Sequence, residues 1–305
     1  MEKTEKIWLN GKFVNWDDAK IHVLTHSLHY GVAAFEGLRC YKTERGSAIF
    51  RGKDHVKRLF ESAKIYMMNI PYSQEEILQA IKDTIRINKM VECYIRPIVY
   101  YGYGEMGLNP SKSPIEVAIA VWPWGVYLGE ESLVNGIRCK ISSWRRINGR
   151  IMPHKAKISG NYANSILAKL EALKCGYDEA IILNLNGTVA EGSGENIFIV
   201  KDGILATPPL TSGALPGITR DSVIKLAKDM NLCAVERDIT REDLFIADEA
   251  FLTGTAAEIT PIKEIDNIII GKGKRGPITE ALQKKFYDVV RGRDPKYNMW
   301  LDFVD

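Results

Sequence analysis

The alternation of apolar and polar positions divides the chain into recognisable elements. Ile7-Trp8-Leu9 and Lys12-Phe13-Val14 flank Asn10-Gly11, a dipeptide suited to a tight hairpin turn, and predict a two-stranded ribbon. Apolar residues at helical spacing predict helices near 53–68 and 74–88. The second starts at Ser73 with Glu76 three residues on, a capping box, and carries Ile77, Ile81 and Ile85 on one face. Apolar strands are expected near 94–102 and 115–122, and Pro123-Trp124-Gly125 opens an irregular stretch to about 136. Beyond it, helices near 161–175, 218–230 and 278–291 are interspersed with strands at Ala180–Leu185, Asn196–Val200, Cys233–Val235 and Ala250–Leu252. Asn186-Gly187 and Asp202-Gly203 mark hairpin turns. Hairpins mixed with helices indicate an α+β protein rather than a regular alternation of parallel strand and helix. The expected division is a smaller N-terminal α/β domain over 1–122, an interdomain loop over 123–136 and a larger domain over 137–305.

Composition narrows the class. The 305 residues are 46% hydrophobic and 26% charged, which suffices for a sizeable core and excludes disorder and collagen. The longest apolar run, Val117 to Gly129, is too short for a membrane span and is broken by Pro123. Met1-Glu2-Lys3-Thr4-Glu5-Lys6 has mixed charge with no apolar segment behind it, so the expectation is a cytoplasmic protein with no secretory leader and no membrane partner. Cys40, Cys93, Cys139, Cys175 and Cys233 form no Cys-x-x-Cys pair, which suits reduced, mostly buried thiols and no metal. A net charge of +3 implies no dedicated nucleic-acid surface. Between Glu131 and Glu171, however, there is no acid but eight bases: Arg138, Lys140, Arg145, Arg146, Arg150, Lys155, Lys157 and Lys169. That stretch is either a solvated basic face or a site for a small anion.

Two stretches match Gly-x-Gly-x-x-Gly, but neither has the context of a dinucleotide loop. Gly102 to Gly107 is followed by Pro110 and Pro114, which forbid the helix. Gly271 to Gly276 lacks a second strand after its helix. Other features point to an anion and an activated amine. Leu215-Pro216-Gly217-Ile218-Thr219 sets Pro-Gly before a strong helix, where the amides of Ile218 and Thr219 suit a phosphate, although a plain loop-to-helix junction has the same pattern. Gly254-Thr255-Ala256-Ala257 is a second turn of small residues. Lys157 lies in the acid-free stretch, where neighbouring cations favour a neutral, nucleophilic amine, although a lysine is ordinarily a solvated surface residue. Glu191 follows a hairpin turn among small residues that leave space for a flat ligand.

Five ordered motifs then carry a resemblance: Ala156-Lys-Ile-Ser-Gly-Asn-Tyr162, Glu191-Gly-Ser-Gly-Glu-Asn196, Thr207-Pro-Pro, Leu215-Pro-Gly-Ile-Thr-Arg-Asp221 and Gly254-Thr-Ala-Ala-Glu-Ile-Thr-Pro261. The chain resembles the pyridoxal-phosphate enzymes of fold type IV. More narrowly, His29-Tyr30-Gly31, Phe35-Glu-Gly-Leu-Arg39, Tyr94-Ile-Arg-Pro97 and Gly107-Leu-Asn-Pro110 make it similar to the branched-chain amino acid aminotransferases, from Trp8 to Asp302. D-amino acid aminotransferase and aminodeoxychorismate lyase share the fold type; Tyr94-Ile-Arg96 and Gly107-Leu-Asn-Pro110 favour the branched-chain enzyme.

The resemblance implies a barrel-like sheet with helices in the larger domain and pyridoxal 5′-phosphate as cofactor, in its pyridoxamine form during turnover. It implies transfer of the amino group of leucine, isoleucine or valine to 2-oxoglutarate. Lys157 would hold the aldehyde as a Schiff base and shuttle the proton at Cα. Glu191 would face the ring nitrogen, Tyr162 the ring oxygen, and Arg58, Ile218, Thr219 and Thr255 the phosphate, with Leu215 completing the cofactor site. Tyr94 with the amides of Thr255 and Ala256 would take the α-carboxylate. Tyr30, Phe35, Gly37, Met106 and Leu108 would form the apolar pocket, and Arg96, helped by Tyr30 and Tyr127, would meet the second carboxylate of glutamate. Because the family supplies Tyr30, Met106, Leu108 and Tyr127 from a neighbouring subunit, it also implies a homodimer or higher homo-oligomer. Read without the resemblance, Phe35, Met106 and Leu108 are ordinary core residues.

Overall fold

A computed structural model describes residues 2–305 except Val126, Tyr127, Leu128 and Glu130. The expected role of Tyr127 therefore lies outside the described residues. The chain groups into two compact units. One comprises Met1–Trp124, Ala156–Gly160 and Asp288–Asp305; the other comprises Gly125–Lys155 and Asn161–Tyr287. Two segments that a linear division assigns to the larger domain thus pack with the first unit. Long-range pairing is the reason. Ile158 bridges to Ala34, and Leu301–Phe303 pairs antiparallel with Gly46–Phe50.

In the first unit the strand order is Leu301–Phe303, Gly46–Phe50, Leu38–Thr43, Cys93–Tyr101, Ile115–Trp122, Lys6–Leu9 and Lys12–Asn15, with Ala33–Phe35 also paired to Cys93–Tyr101. The Lys6–Asn15 hairpin turns through Asn10 and Gly11, both at positive φ, as the Asn-Gly pair requires. Helix Gly52–Ile65 supplies Val56, Leu59 and Ala63 to the core, and Gln74–Ile87 supplies Ile77, Ile81 and Ile85. Each of those isoleucines is fully buried and stabilises the fold by roughly 1.5–3 kcal/mol. The second helix begins with the expected reciprocal cap, Glu76 N to Ser73 Oγ and Ser73 N to Glu76 Oε2.

The second unit is built on a curled mixed sheet. Its order is Val189–Gly192, Glu179–Leu183, Ile137–Arg145, Glu258–Ile265, Glu249–Gly254, Asn196–Lys201, Ile204–Thr207 and Ala234–Glu236. Ile137–Arg145 runs parallel to both its neighbours, with Ile137, Cys139 and Ile141 buried and Ser143, Trp144 and Arg145 exposed at its far end. Helix Asn161–Lys174 rests Ala168 and Ala172 on Tyr177, Ala180 and Ile182. Among the described residues, no helix is long and apolar enough to cross a membrane, and all five cysteines are free, with Cys175 and Cys233 exposed.

Candidate active site

The candidate residues fall into two sets, one in each unit. In the first unit, Lys157 is held by its backbone. Its N–H donates to Ser62 Oγ (3.0 Å), and its carbonyl accepts from Phe35 N (3.1 Å). Its Nζ lies 4.8 Å from the centre of the Phe35 ring. Tyr94 and Arg96, two apart on the Cys93–Tyr101 strand, share a face of the sheet. Arg96 Nη2 donates to Tyr94 Oη (3.3 Å), and the guanidinium lies 5.0 Å from the Phe35 ring, 5.4 Å from Tyr94 and 6.0 Å from Trp122. Arg96 Nε is buried without a hydrogen-bond partner, and no carboxylate pairs with this guanidinium among the described residues. An aromatic cage around an unneutralised cation is a receptor for an anion. Gly37 makes room for Tyr94: a β-carbon at 37 would sit 2.0 Å from the phenolic oxygen.

Arg58 is buried rather than a surface residue. Its Nε and Nη2 meet Oε1 and Oε2 of the fully buried Glu36 at 2.6 and 2.9 Å, and His55 Nδ1 lies 2.8 Å from Oε2. Burial alone would raise the carboxyl of Glu36; the charges of Arg58 and His55 more than reverse this and hold it far below the usual carboxylate range. His55 is itself pushed down by burial, against the pull of Glu36. Tyr30 ends the short His26–Tyr30 helix, and its hydroxyl accepts from Gly107 N (3.1 Å), so it fixes the loop that bears Met106 and Leu108. Those two are not core residues: Met106 is 44% and Leu108 89% exposed. Phe35 is half-buried.

In the second unit, Glu191 is buried on the Val189–Gly192 strand and fully engaged. Arg146 Nη2 approaches Oε1 at 2.7 Å, while Leu215 N (2.9 Å) and Asn196 Nδ2 (3.2 Å) donate to Oε2. The backbone of Leu215 thereby orients Glu191. Arg146 is steadied by Ser165 Oγ (2.9 Å). Ile218 and Thr219 open helix Ile218–Asp229 after Gly217, where no side chain caps the first turn. A β-carbon at Gly217 would lie 1.9 Å from Asn196 Oδ1, so glycine is required for that close approach. Tyr162 lies half-buried in the first turn of Asn161–Lys174, and Thr255 and Ala256 are half-buried in the turn between Glu249–Gly254 and Glu258–Ile265.

The family described as Amino-transferase class IV matches residues 33–265, which take in the Phe35, Lys157, Glu191, Leu215 and Gly254 motifs. The chain belongs to the class IV aminotransferases. A branched-chain-amino-acid aminotransferase of Pseudomonas aeruginosa is 50% identical over 298 residues, covering 98% of this chain and 97% of the relative. The crystal structure of the branched-chain amino acid aminotransferase of Escherichia coli is 47% identical, with a TM-score of 0.98 over 99% of this chain and 100% of the other. The holo form, with PLP, of the Thermobaculum terrenum enzyme is 39% identical, with a TM-score of 0.94 over the full length of both chains. Within this aminotransferase the partners Glu36, His55, Arg146 and Asn196 went unassigned by motif reading. Arg146 lies in the acid-free stretch and Asn196 ends the Glu191 motif, yet only the folded chain pairs them with Glu191.

Proposed function

We infer that the chain transfers the amino group of leucine, isoleucine or valine to 2-oxoglutarate with pyridoxal 5′-phosphate, yielding branched-chain 2-oxo acids and glutamate in alternating half-reactions. The observation that carries the reading of its site is the set of contacts on Glu191, a buried carboxylate aimed by Arg146, Asn196 and the Leu215 amide. The residues fit the cofactor: a lysine fixed by its backbone, an oriented carboxylate, and a Gly217 turn with no room for a side chain. When bound, the cofactor supplies a protonated ring that draws electrons from the substrate's Cα. Glu191 holds the proton at the ring nitrogen. Lys157 anchors the aldehyde carbon and moves a proton to and from Cα. Tyr162 orients the ring oxygen, and Arg58, Thr255 and the Ile218 and Thr219 amides hold the phosphate. Tyr94, with the amides of Thr255 and Ala256, takes the α-carboxylate, and Phe35 and Gly37 shape the apolar wall.

Arg96 meets the second carboxylate of glutamate; its aromatic surroundings and lack of an acidic partner support that role. The exposed Met106 and Leu108, fixed to Tyr30, complete a neighbouring subunit's site, so the enzyme works as a homodimer or larger homo-oligomer. The exposed free thiols of Cys175 and Cys233 suit a reducing, cytoplasmic setting. Borohydride reduction followed by peptide mapping tests the central assignment. The pyridoxyl label should fall on Lys157, remain there in Lys155→Ala, and vanish with nearly all turnover in Lys157→Ala. A label on Lys155 would overturn it.

A further inference from the structure

Arg146, which pairs with Glu191, also lines an open cavity of about 430 Å³ in the second unit, together with Arg150, His154, Lys155, Asn148 and Thr211. Its volume falls within the usual range for small-molecule sites. No acid lines it. The carboxylates near its wall are already engaged: Glu191 by Arg146, and Asp238 by the Ser212 hydroxyl at 3.3 Å. Arg146 is the buried member of the set, with its side chain 8% exposed. Arg150 and Lys155 are exposed at the mouth. His154 fits because residue 149 is glycine; a β-carbon there would lie 2.5 Å from His154 Nδ1. None of Arg150, His154 and Lys155 has a part in the transamination site.

We propose that this cavity is a second ligand site, which takes a small multivalent oxyanion, a di- or tricarboxylate or a phosphate. The chemistry follows from the lining. Guanidinium forks match planar carboxylate and phosphate edges, and an ammonium and two guanidiniums around one cavity favour a ligand with more than one negative charge. The site is coupled to the first. An anion in the cavity draws on the same guanidinium that holds Glu191, so occupation weakens that grip, and by linkage a firmer Arg146–Glu191 pair weakens the anion's hold. This coupling rests on the role of Glu191 given above; binding itself does not.

The test is calorimetric titration of the holoenzyme, in which the phosphate-binding turn is already filled. Inorganic phosphate and citrate are the two probes, at an ionic strength fixed with chloride because exposed cations are screened by salt. Each probe is run on the wild type, on Arg150→Ser/Lys155→Ser and on the single charge reversal Lys155→Glu, both at exposed positions. We expect saturable binding of at least one probe to the wild type, weakened roughly tenfold or more in both variants, as for the loss of a close charge pair. The stronger probe identifies the ligand as phosphate-like or carboxylate-like. Wild-type binding that both variants keep would place the anion elsewhere and overturn the proposal. So would the absence of heat with both probes.

Discussion

The hydroxyl of Tyr94 occupies the space in which any residue but glycine at position 37 would carry its β-carbon. The built distance is 2.0 Å to the phenolic oxygen and 2.8 Å to Cζ. Gly37→Ala should therefore push the Tyr94 ring away from Arg96 at an overpacking cost of roughly 1–3 kcal/mol. Thermal unfolding should show the loss, and the α-carboxylate contact proposed for Tyr94 predicts a rise in KM for every amino donor. In a Tyr94→Phe background the alanine should cost less, since the closest clash is gone while Cζ remains. Equal costs in both backgrounds would mean that the Tyr94 ring relaxes freely.

Arg58 neutralises a carboxylate that has no access to water. Removing it as Arg58→Ala leaves Glu36 with only His55 and the Gly37 amide, and the expected loss is about 3–5 kcal/mol at neutral pH. Glu36 has a depressed folded pKa, so its pairing stabilises the protein above the unfolded value near 4.5 and is lost as pH falls towards the folded value. The gap between wild type and variant, measured by urea unfolding of cofactor-free protein, should shrink in acid. Glu36→Gln on top of Arg58→Ala should recover part of the stability at pH 7.

Glu195 points the other way. Burial, then the charge of Glu179, pushes it up to about 8, while the Gly194 amide and Lys169 pull only partly against this, and Glu191 adds to the rise. The folded protein thus keeps a proton that the unfolded chain releases near 4.5, so this contribution is complete below that pH and declines as pH rises through about 8. Glu195→Gln mimics the protonated form. It should flatten the fall in melting temperature between the unfolded value near 4.5 and about pH 8, and above that pH it should be the more stable protein by on the order of 1–3 kcal/mol. Parallel curves would show that Glu195 is already ionised in the fold.

The two amino donors differ by one buried charge, and Arg96 is where that difference should be felt. Arg96→Met keeps the apolar stem against Phe35 and removes the cation. Single-turnover kinetics should lose on the order of 2–5 kcal/mol with glutamate and 2-oxoglutarate, and much less with leucine. Equal losses would mean that Arg96 serves the shared α-carboxylate or the fold, and the cation for glutamate would have to be sought at Arg39.

Local signals were legible where chemistry is local. The Ser73–Glu76 cap and the positive φ of Asn10, Gly11, Asp202 and Gly203 follow from residue types a few positions apart. The hairpin of Leu38–Thr43 and Gly46–Phe50 gave little signal, because its first strand reads Leu-Arg-Cys-Tyr-Lys-Thr and its turn carries Glu44-Arg45. Ile137–Arg145 was hidden by its charged residues: Arg138 and Lys140 alternate with apolar positions, but their heads find Glu264 and Asp266 across the sheet. The motif residues themselves were readable. What was not is the set of partners that aim them, since Glu36 to Arg58 and Arg146 to Glu191 are long-range pairings with no periodicity to announce them.

The chain passes from one unit to the other after Trp124, back after Lys155, out again after Gly160, and back after Tyr287. Neither unit is thus a continuous stretch of polypeptide: the second has all its segments once Tyr287 is made, and the first still needs Asp288–Asp305. The strand partner of Gly46–Phe50 is Leu301–Phe303, and the backbone of Lys157 is held by Phe35 on strand Ala33–Phe35 and by Ser62 on helix Gly52–Ile65. The two backbone anchors of Lys157 are therefore synthesised before the lysine itself, while one edge strand of the same sheet is synthesised after it. A product truncated before Leu301 lacks the strand that covers Gly46–Phe50, and the backbone groups bared on that edge become a template for pairing with another chain.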